Sequence, residues 1–253
     1  MKKFFLTIGL IIFSLHLFAQ DSGFVIGAYI TPSYSFRSIK AVSSAANDTL
    51  KKANSVDRAS GKVDFGIRLS ANLSHHWKAT VGLAYATKGY TSNMTVDTYS
   101  LSGVKNTIGV TQYNRYTFIE VPVYLTYKMG DSNFTFGILA GISNSFLTQY
   151  QVDVPTYDLP SHTLSRNPVT LSGSDLSSNN FTTYYLNILV GVEFSYRISE
   201  SFNIFAQPNF RYSLNNMFPG PGGTGLPAGN GTSDLLDGRL WNLGLSLGAD
   251  YRF

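Results

Sequence analysis

The last fourteen residues of this chain, "LWNLGLSLGADYRF" at positions 240–253, alternate large apolar side chains with small or polar ones. Every second residue from Trp241 to Phe253 is apolar, and the residues between them are Asn, Gly, Ser, Gly, Asp and Arg. A period of two residues is that of a β-strand, whose side chains point alternately to its two faces. The stretch therefore predicts a strand with one apolar face and one small, polar face.

Seven further segments show the same alternation, which makes eight strands in all. The seven segments are 24–34, 62–73, 77–86, 116–128, 134–143, 184–197 and 203–213. Three connections are short and centre on "SHH", "MGDSN" and "ISES", which is typical of tight hairpins. The other four are long and rich in polar residues and glycine: about 36–61, 89–115, 150–183 and 215–238. An up-and-down meander places the four long loops at one end of a barrel, and the short turns with both termini at the other.

Composition agrees with a β-rich chain that has little surface charge. Charged residues make up 13% of the chain, about half the share of an ordinary soluble domain. The absence of cysteine excludes a disulfide framework, a thiolate metal site and a lipid-modified N-terminal cysteine. A net charge of +4 is too small to indicate nucleic-acid binding.

The first twenty residues, "MKKFFLTIGLIIFSLHLFAQ", have the layout of a secretory signal peptide. Two lysines precede an apolar run from Phe4 to Phe18, and Ala19 follows it. The run is short for a transmembrane helix, so a membrane anchor is the less favoured alternative. We predict a signal peptide at 1–19 that is cleaved after Ala19, and a single barrel domain at 20–253.

The small face suits the lumen of an eight-stranded barrel, which is just wide enough for side chains to fill it. A soluble barrel would turn the apolar face inward, crowd the lumen and leave a glycine-rich surface. The aromatic residues favour a membrane barrel, because they form two girdles around a band of aliphatic side chains. The girdle at the short-turn end includes Trp77, Tyr127 and Tyr196, and that at the long-loop end includes Tyr34, Tyr85, Tyr184, Tyr212 and Trp241.

The charged residues of the strands fall on the small face, where a narrow lumen requires them to be paired. We therefore predict a lumen network in which Arg68 and Arg211 compensate Glu120 and Glu193. The strand that ends in Phe253 must pair with the first strand to close the barrel. Tyr251 and the terminal Phe253 also resemble the C-terminal signal by which the outer-membrane insertion machinery recognises its clients.

No set of residues predicts catalysis, a metal site or a cofactor. His75 and His76 lie in a tight turn, and His162 lies in a long loop near Ser161 and Ser165, with no strand to position it as a base. Asp234 and Asp237 also lie in a loop, where carboxylates are usually solvated. No calcium, phosphate or zinc spacing is present. We expect a protein that is not an enzyme and has no cofactor.

Three segments together resemble the PorT-like family of Bacteroidetes outer-membrane β-barrel proteins. They are "FGIRLSANLSHHWKATVGLAYATKGY" (65–90), "YTFIEVPVYLTYKMG" (116–130) and "GLSLGADYRF" (244–253). The "IEVPVYL" around Glu120 and Pro122 is similar to the family's Ile/Leu-Glu-Ile-Pro-Leu-Leu strand. The resemblance implies a multi-pass outer-membrane barrel with periplasmic termini, three periplasmic turns and four extracellular loops. The founding member is linked to type IX secretion, and the family supplies no catalytic residues.

The function expected from the sequence is a structural or interaction scaffold that displays surface loops on a plugged barrel. Tyr29, Phe118, Tyr124 and Phe205 are predicted to fill the lumen together with the charged residues. The alternatives are a component or assembly factor of type IX secretion, a lipid-modifying enzyme and a small-solute channel. Expected partners are outer-membrane lipid, the barrel assembly machinery and secretion or surface proteins bound by the long loops. We expect a monomer that binds no nucleic acid.

Overall fold

The computed structural model describes residues 23–41, 57–99, 105–130, 133–158, 163–179, 181–216 and 236–253. The strands are β1 (Phe24–Ala41), β2 (Asp57–Asn72), β3 (Trp77–Tyr99), β4 (Lys105–Met129), β5 (Phe134–Asp158), β6 (Thr163–Ser172), β7 (Tyr184–Arg197), β8 (Phe202–Ser213) and β9 (Leu236–Arg252). The short helix α1 spans Ser174–Ser178. No helix in this part of the chain is long and apolar enough to cross a membrane.

Eight of these strands form a closed antiparallel barrel, as the sequence predicts. Each barrel strand pairs with the next along the chain, β5 pairs with β7, and β9 returns to pair with β1. The strand β6 pairs with β5 beyond the part of β5 that pairs with β7, so it extends a hairpin rather than the barrel wall. Closure leaves no unpaired edge in the barrel wall. A sheet exposed to lipid must be closed in this way, because lipid cannot satisfy the backbone groups of an open edge.

The barrel has its apolar side chains outside and its polar side chains inside. Phe65 is 56% exposed, whereas Arg68, three residues further along β2 and on the opposite face, is 3% exposed. The same alternation runs along β9, where Leu243, Leu245 and Leu247 are exposed between buried or half-buried small and polar residues. A surface of this kind buries its apolar area in lipid rather than in a protein core.

The strands are longer than the alternation indicated, and this corrects three of the predicted loops. The strand β3 has 23 residues, and β4 and β5 have 25 each, whereas about 9–11 residues cross a membrane at a tilt. The pairing of β3 with β4 continues to Tyr99 and Lys105. Much of 36–61, 89–115 and 150–183 is therefore strand. The pattern missed this because a strand beyond the membrane has no lipid-facing side that would require alternation.

A β-bulge in the β4–β5 pair changes which residues face inward. Phe118 pairs with Leu147 and Thr117 with Gln149, so Thr148 is the extra residue. Beyond it Tyr150 faces the same side as Leu147, although the two are an odd number of residues apart. Beyond the bulge, the face of β5 that carries Tyr150 therefore continues the inward face of the barrel.

Candidate functional site: the barrel lumen

Arg68 lies at the centre of an ion-pair layer close to the short-turn end, which we call the turn layer. Its Nε donates to Asp250 Oδ1 at 2.9 Å and its Nη2 to Asp250 Oδ2 at 2.6 Å, a bidentate pair. Its Nη1 donates to Glu193 Oε2 at 2.8 Å, and Lys78 Nζ donates to the other oxygen of that carboxylate. The guanidinium also lies 3.3 Å from the ring centre of Phe205. Each nitrogen of this guanidinium therefore donates to an acceptor, and an aromatic ring lies against it.

Glu120 holds a second layer closer to the long-loop end, which we call the loop layer. Its side chain is 0% exposed. Arg211 Nη1 donates to Glu120 Oε2 at 2.5 Å, and Lys88 Nζ lies 2.5 Å from Oε1. The hydroxyl of Ser145 donates to the same Oε1 at 2.8 Å. A carboxylate without water contact is thus surrounded by two cations and a hydroxyl, as a buried charge requires.

The four residues predicted for the lumen network occupy two separate pairs, Arg68 with Glu193 and Arg211 with Glu120. The structure adds partners that the proposed network lacked: Lys78, Lys88 and Asp250. Asp64 is a further buried carboxylate and accepts the backbone N–H of Thr87. Alternation could have found Lys88, which continues the inward face of β3, but its position lies next to a predicted loop.

Arg37 makes a third polar cluster, beyond the aromatic girdle at the long-loop end. Its Nε donates to Asp57 Oδ2 at 2.7 Å, and its Nη1 donates to the hydroxyl of Tyr90 at 2.9 Å. Ser92 donates to the other oxygen of Asp57 at 2.5 Å. Burial raises the pKa of Tyr90, which keeps its phenol protonated while it accepts from Arg37. This cluster connects β1, β2 and β3 above the membrane.

An apolar cap closes the long-loop end of the lumen. Leu176 of α1 and Phe181 after it are buried against inward-facing rings of β4, β5 and β7. The ring centre of Phe181 lies 4.6 Å from that of Tyr150, and Phe118 meets Tyr185 edge-on at 5.4 Å. The cap contains Ala86, Tyr90, Tyr116, Phe118, Leu147, Tyr150, Val152, Leu176, Phe181, Tyr185 and Leu240. The sequence pattern did not predict this cap, because α1 lies within a predicted loop.

A small cavity lies between the turn layer and the loop layer. An interior cavity of about 10 Å³ lies between Arg68 and Arg211, roughly the volume that one water molecule requires. Of the rings predicted to fill the lumen, Phe118, Tyr124 and Phe205 are buried and Tyr29 is half-buried. Tyr29, Tyr124 and Phe205 line the cavity, whereas Phe118 belongs to the cap above it.

The predicted girdle residues divide by exposure. Six of them are exposed: Trp77, Tyr127, Tyr196, Tyr34, Tyr85 and Tyr184. Tyr212 and Trp241 are half-buried. Trp241 stacks on Phe36 with ring centres 4.1 Å apart. The rings of Tyr251 and the 75% exposed Phe253 meet edge-on at 5.2 Å, and their role as an insertion signal stays a prediction.

The histidines and loop carboxylates do not form a described site. His75 and His76 are exposed in the turn between β2 and β3, with ring centres 4.8 Å apart, and His76 Nδ1 lies 3.3 Å from the carbonyl oxygen of Lys128. Ser161, His162 and Asp234 lie outside the described residues, as do the side chains of Ser165 and Asp237. The predicted signal peptide at 1–19 also lies outside them.

Comparison with known proteins agrees with the inside-out barrel. Residues 18–219 match the family described as outer membrane protein beta-barrel domain. The chain belongs to this family. No curated protein sequence matches the chain significantly.

Several solved outer-membrane proteins are similar in fold at low sequence identity. Neisserial surface protein A is 11% identical, with a TM-score of 0.44 over 92% of this chain and 100% of that one. A major outer membrane protein from Thermus thermophilus is 15% identical, with a TM-score of 0.45 over 92% and 100%. The outer membrane protease OmpT from Escherichia coli is 11% identical, with a TM-score of 0.41 over 92% and 94%.

Proposed function

We propose that this outer-membrane barrel is a non-enzymatic scaffold with a plugged lumen, which displays its long-loop end as an interaction surface. The observation that supports this most strongly is the filled interior: the turn layer, the loop layer and the apolar cap follow one another along the barrel axis. An eight-stranded barrel has no spare width for a water path beside such layers. A plugged barrel transports nothing, so its function resides on the surfaces that it presents.

The orientation that we propose has the termini and the three short turns in the periplasm and the long hairpins outside the cell. The exposed aromatic residues at both ends of the apolar band support a position across a bilayer. The predicted signal peptide and the resemblance to PorT-like barrels supply the direction. The expected partners are outer-membrane lipid, the barrel assembly machinery and proteins bound at the long-loop end, with the barrel itself a monomer.

The non-enzymatic part of the proposal is supported by what the buried charges contact. Glu120 and Glu193 accept from cations on both carboxylate oxygens, so neither is placed to take a proton from a substrate. Arg68 and Arg211 are likewise bound to carboxylates inside the wall. Lipid analysis of outer membranes with and without the protein tests this: a change in acyl composition that requires His162 would identify a lipid-modifying enzyme instead.

Planar-bilayer conductance tests the plugged lumen. The purified barrel should give no stable single-channel steps, while a sixteen-stranded porin prepared in the same detergent serves as the positive control. A double variant, Leu176→Ser with Phe181→Ser, disrupts the apolar cap but leaves both ion-pair layers, so it should also stay closed. Large, steady steps from the unaltered protein would show a small-solute channel and overturn the proposal.

The second candidate is a role in type IX secretion, favoured by the segment around Glu120 and Pro122 that resembles PorT-like barrels. Both residues are buried, and Glu120 holds the loop layer together, so the similar residues serve the interior of the barrel. A deletion strain decides between the candidates. Loss of export of type IX cargo, restored by the wild-type gene, would support the secretion role, and unchanged export would leave the scaffold proposal.

A further inference from the structure

A cleft of about 310 Å³ opens at the long-loop end, outside the lumen layers. Its volume lies at the lower end of the range for small-molecule sites. The residues that line it come from three strands, β2, β4 and β5. They are Ser60, Lys62, Tyr113, Asn114, Arg115, Gln151 and Asp153. Ser60 and Lys62 flank Gly61, which pairs with the girdle residue Tyr34, so the cleft begins at the level of the girdle. Tyr113, Arg115 and Asp153 lie further along β4 and β5, beyond Phe146.

Two cations share this cleft without a carboxylate bound to either. Neither Lys62 nor Arg115 takes part in an ion pair within the described part of the chain. Burial lowers the pKa of Lys62, and the charge of Arg115 lowers it further, while Asp153 opposes the effect. Because Lys62 and Arg115 line the same cleft, their positive charges repel each other, and an anionic group bound between them would offset that repulsion.

The remaining groups of the cleft suit hydroxyls and a ring face. In the β4–β5 ladder Tyr113 pairs with Asp153, and Arg115 pairs with Gln151. Residues two apart on a strand share a face with their cross-strand partners, so these four side chains lie together on one face of the hairpin. Tyr113 is 41% exposed and offers a ring surface. The Gln151 amide can donate and accept, and Asp153 can accept from hydroxyls. A hairpin fixed by many backbone hydrogen bonds holds these groups in place before a ligand arrives.

We propose that the cleft binds an anionic saccharide. The acidic group lies between Lys62 and Arg115, the sugar hydroxyls bond to Gln151 and Asp153, and the sugar ring lies on Tyr113. A compact anion without hydroxyls would be repelled by the carboxylate of Asp153 and could not donate a hydrogen bond to it. A sugar hydroxyl can donate to that carboxylate. The site goes beyond the scaffold function, and its access from outside the cell rests on the proposed orientation.

Binding can be measured by calorimetry on the full chain in detergent micelles, with glucuronic acid, glucose 1-phosphate and neutral glucose as ligands. At least one of the two acidic sugars should bind, and glucose should bind at least about tenfold more weakly, as the loss of a charge-assisted contact predicts. Arg115→Gln and Lys62→Gln should each weaken binding of the acidic sugar by about tenfold.

The matched control is Arg58→Gln. Arg58 is an exposed cation on β2, the strand that carries Lys62, but it does not line the cleft. This variant should leave the affinity unchanged. Equal binding of all three sugars, equal losses in Arg58→Gln and Arg115→Gln, or no binding at all would each overturn the proposal. Micelles need no membrane orientation, so such a failure would leave the plugged-lumen proposal standing.

The anionic saccharide has two possible sources, a soluble glycan or the headgroup of lipopolysaccharide beside the barrel. Adding lipopolysaccharide micelles to the complex with the acidic sugar distinguishes them. Displacement of the bound sugar, absent in Arg115→Gln, identifies the lipid headgroup as the source. Sugar binding that persists identifies a soluble saccharide, and both results support the site.

Discussion

At the scale of single residues, the part of the lumen below the apolar cap is held together by buried charges. Arg68 contacts two carboxylates and an aromatic ring, and Glu120 contacts two cations and a hydroxyl. Four buried cations (Arg68, Lys78, Lys88, Arg211) form ion pairs with three buried carboxylates (Glu120, Glu193, Asp250). This pairing matters because an unpaired charge in a narrow lumen would carry its full desolvation cost.

Replacing Arg68 by Met should destabilise the barrel by about 3–5 kcal/mol, because Asp250 loses its bidentate partner and Glu193 retains only Lys78. Denaturant unfolding of the refolded protein in detergent measures the loss. Arg197→Met is the matched control, since Arg197 is exposed at the short-turn end and should cost less than about 1 kcal/mol. Similar losses in the two variants would show that the lumen network contributes no special stability.

Gly141 tests how closely the strands approach. A Cβ atom there would lie 2.2 Å from the carbonyl oxygen of Val123 and 2.5 Å from the Cα of Tyr124, so Gly141→Ala must separate β5 from β4. We expect a loss of about 1–3 kcal/mol in the free energy of unfolding. In the control Gly61→Ala, the nearest atom is a Tyr34 ring carbon at 3.4 Å, an ordinary contact, and stability should hold. Equal behaviour of the two variants would contradict the close approach.

At the scale of elements, the long hairpins divide into a part that closes the lumen and a part that projects beyond it. The strand pair β3–β4 runs on from Ser92 and Gln112 to Tyr99 and Lys105, beyond the cap. In contrast, α1 places Leu176 against the buried rings of the cap. The projecting ends are available for contacts with other molecules, whereas α1 is a structural part of the barrel.

Shortening the β3–β4 hairpin should leave the barrel intact. Replacing residues 93–111 by Asn-Gly joins Ser92 to its pair Gln112 through a favoured hairpin turn. The free energy of unfolding should change by no more than about 0.5 kcal/mol, as for a surface change. The contrasting variant Leu176→Ala should cost about 2–5 kcal/mol, because it opens a cavity in the cap. A barrel that fails to refold after the shortening would show that the projecting hairpin carries stability.

At the scale of the whole molecule, the barrel is an inside-out protein with two different ends. The apolar outer band requires a lipid surrounding, and the family match places the chain among outer-membrane barrels. The end with short turns has little surface for partners, whereas the other carries long hairpins, the cap and the charged cleft. The direction of insertion therefore decides what the cell surface presents.

Single cysteines can determine this direction, because the chain has none of its own. Ser172→Cys, exposed at the long-loop end, should react with a membrane-impermeant maleimide in intact cells. Glu200→Cys, exposed in the turn between β7 and β8, should react only after the outer membrane is permeabilised. The cysteine-free wild-type protein measures background labelling. The reverse pattern would place the long hairpins in the periplasm and contradict the proposed orientation.

The sequence by itself determined the barrel wall. Alternation such as that from Trp241 to Phe253 predicted the number of strands, their faces and the inward position of Arg68 and Glu120, because a wall between lipid and a narrow lumen imposes a period of two on every strand. Only the tertiary structure decided the rest. Lys88 reaches Glu120 from another strand, Leu176 closes the cap from a segment without periodicity, and β3 to β5 continue past the membrane. Beyond the bilayer, both faces of a strand meet water or other chain segments. The local sequence there does not indicate which distant residues come into contact.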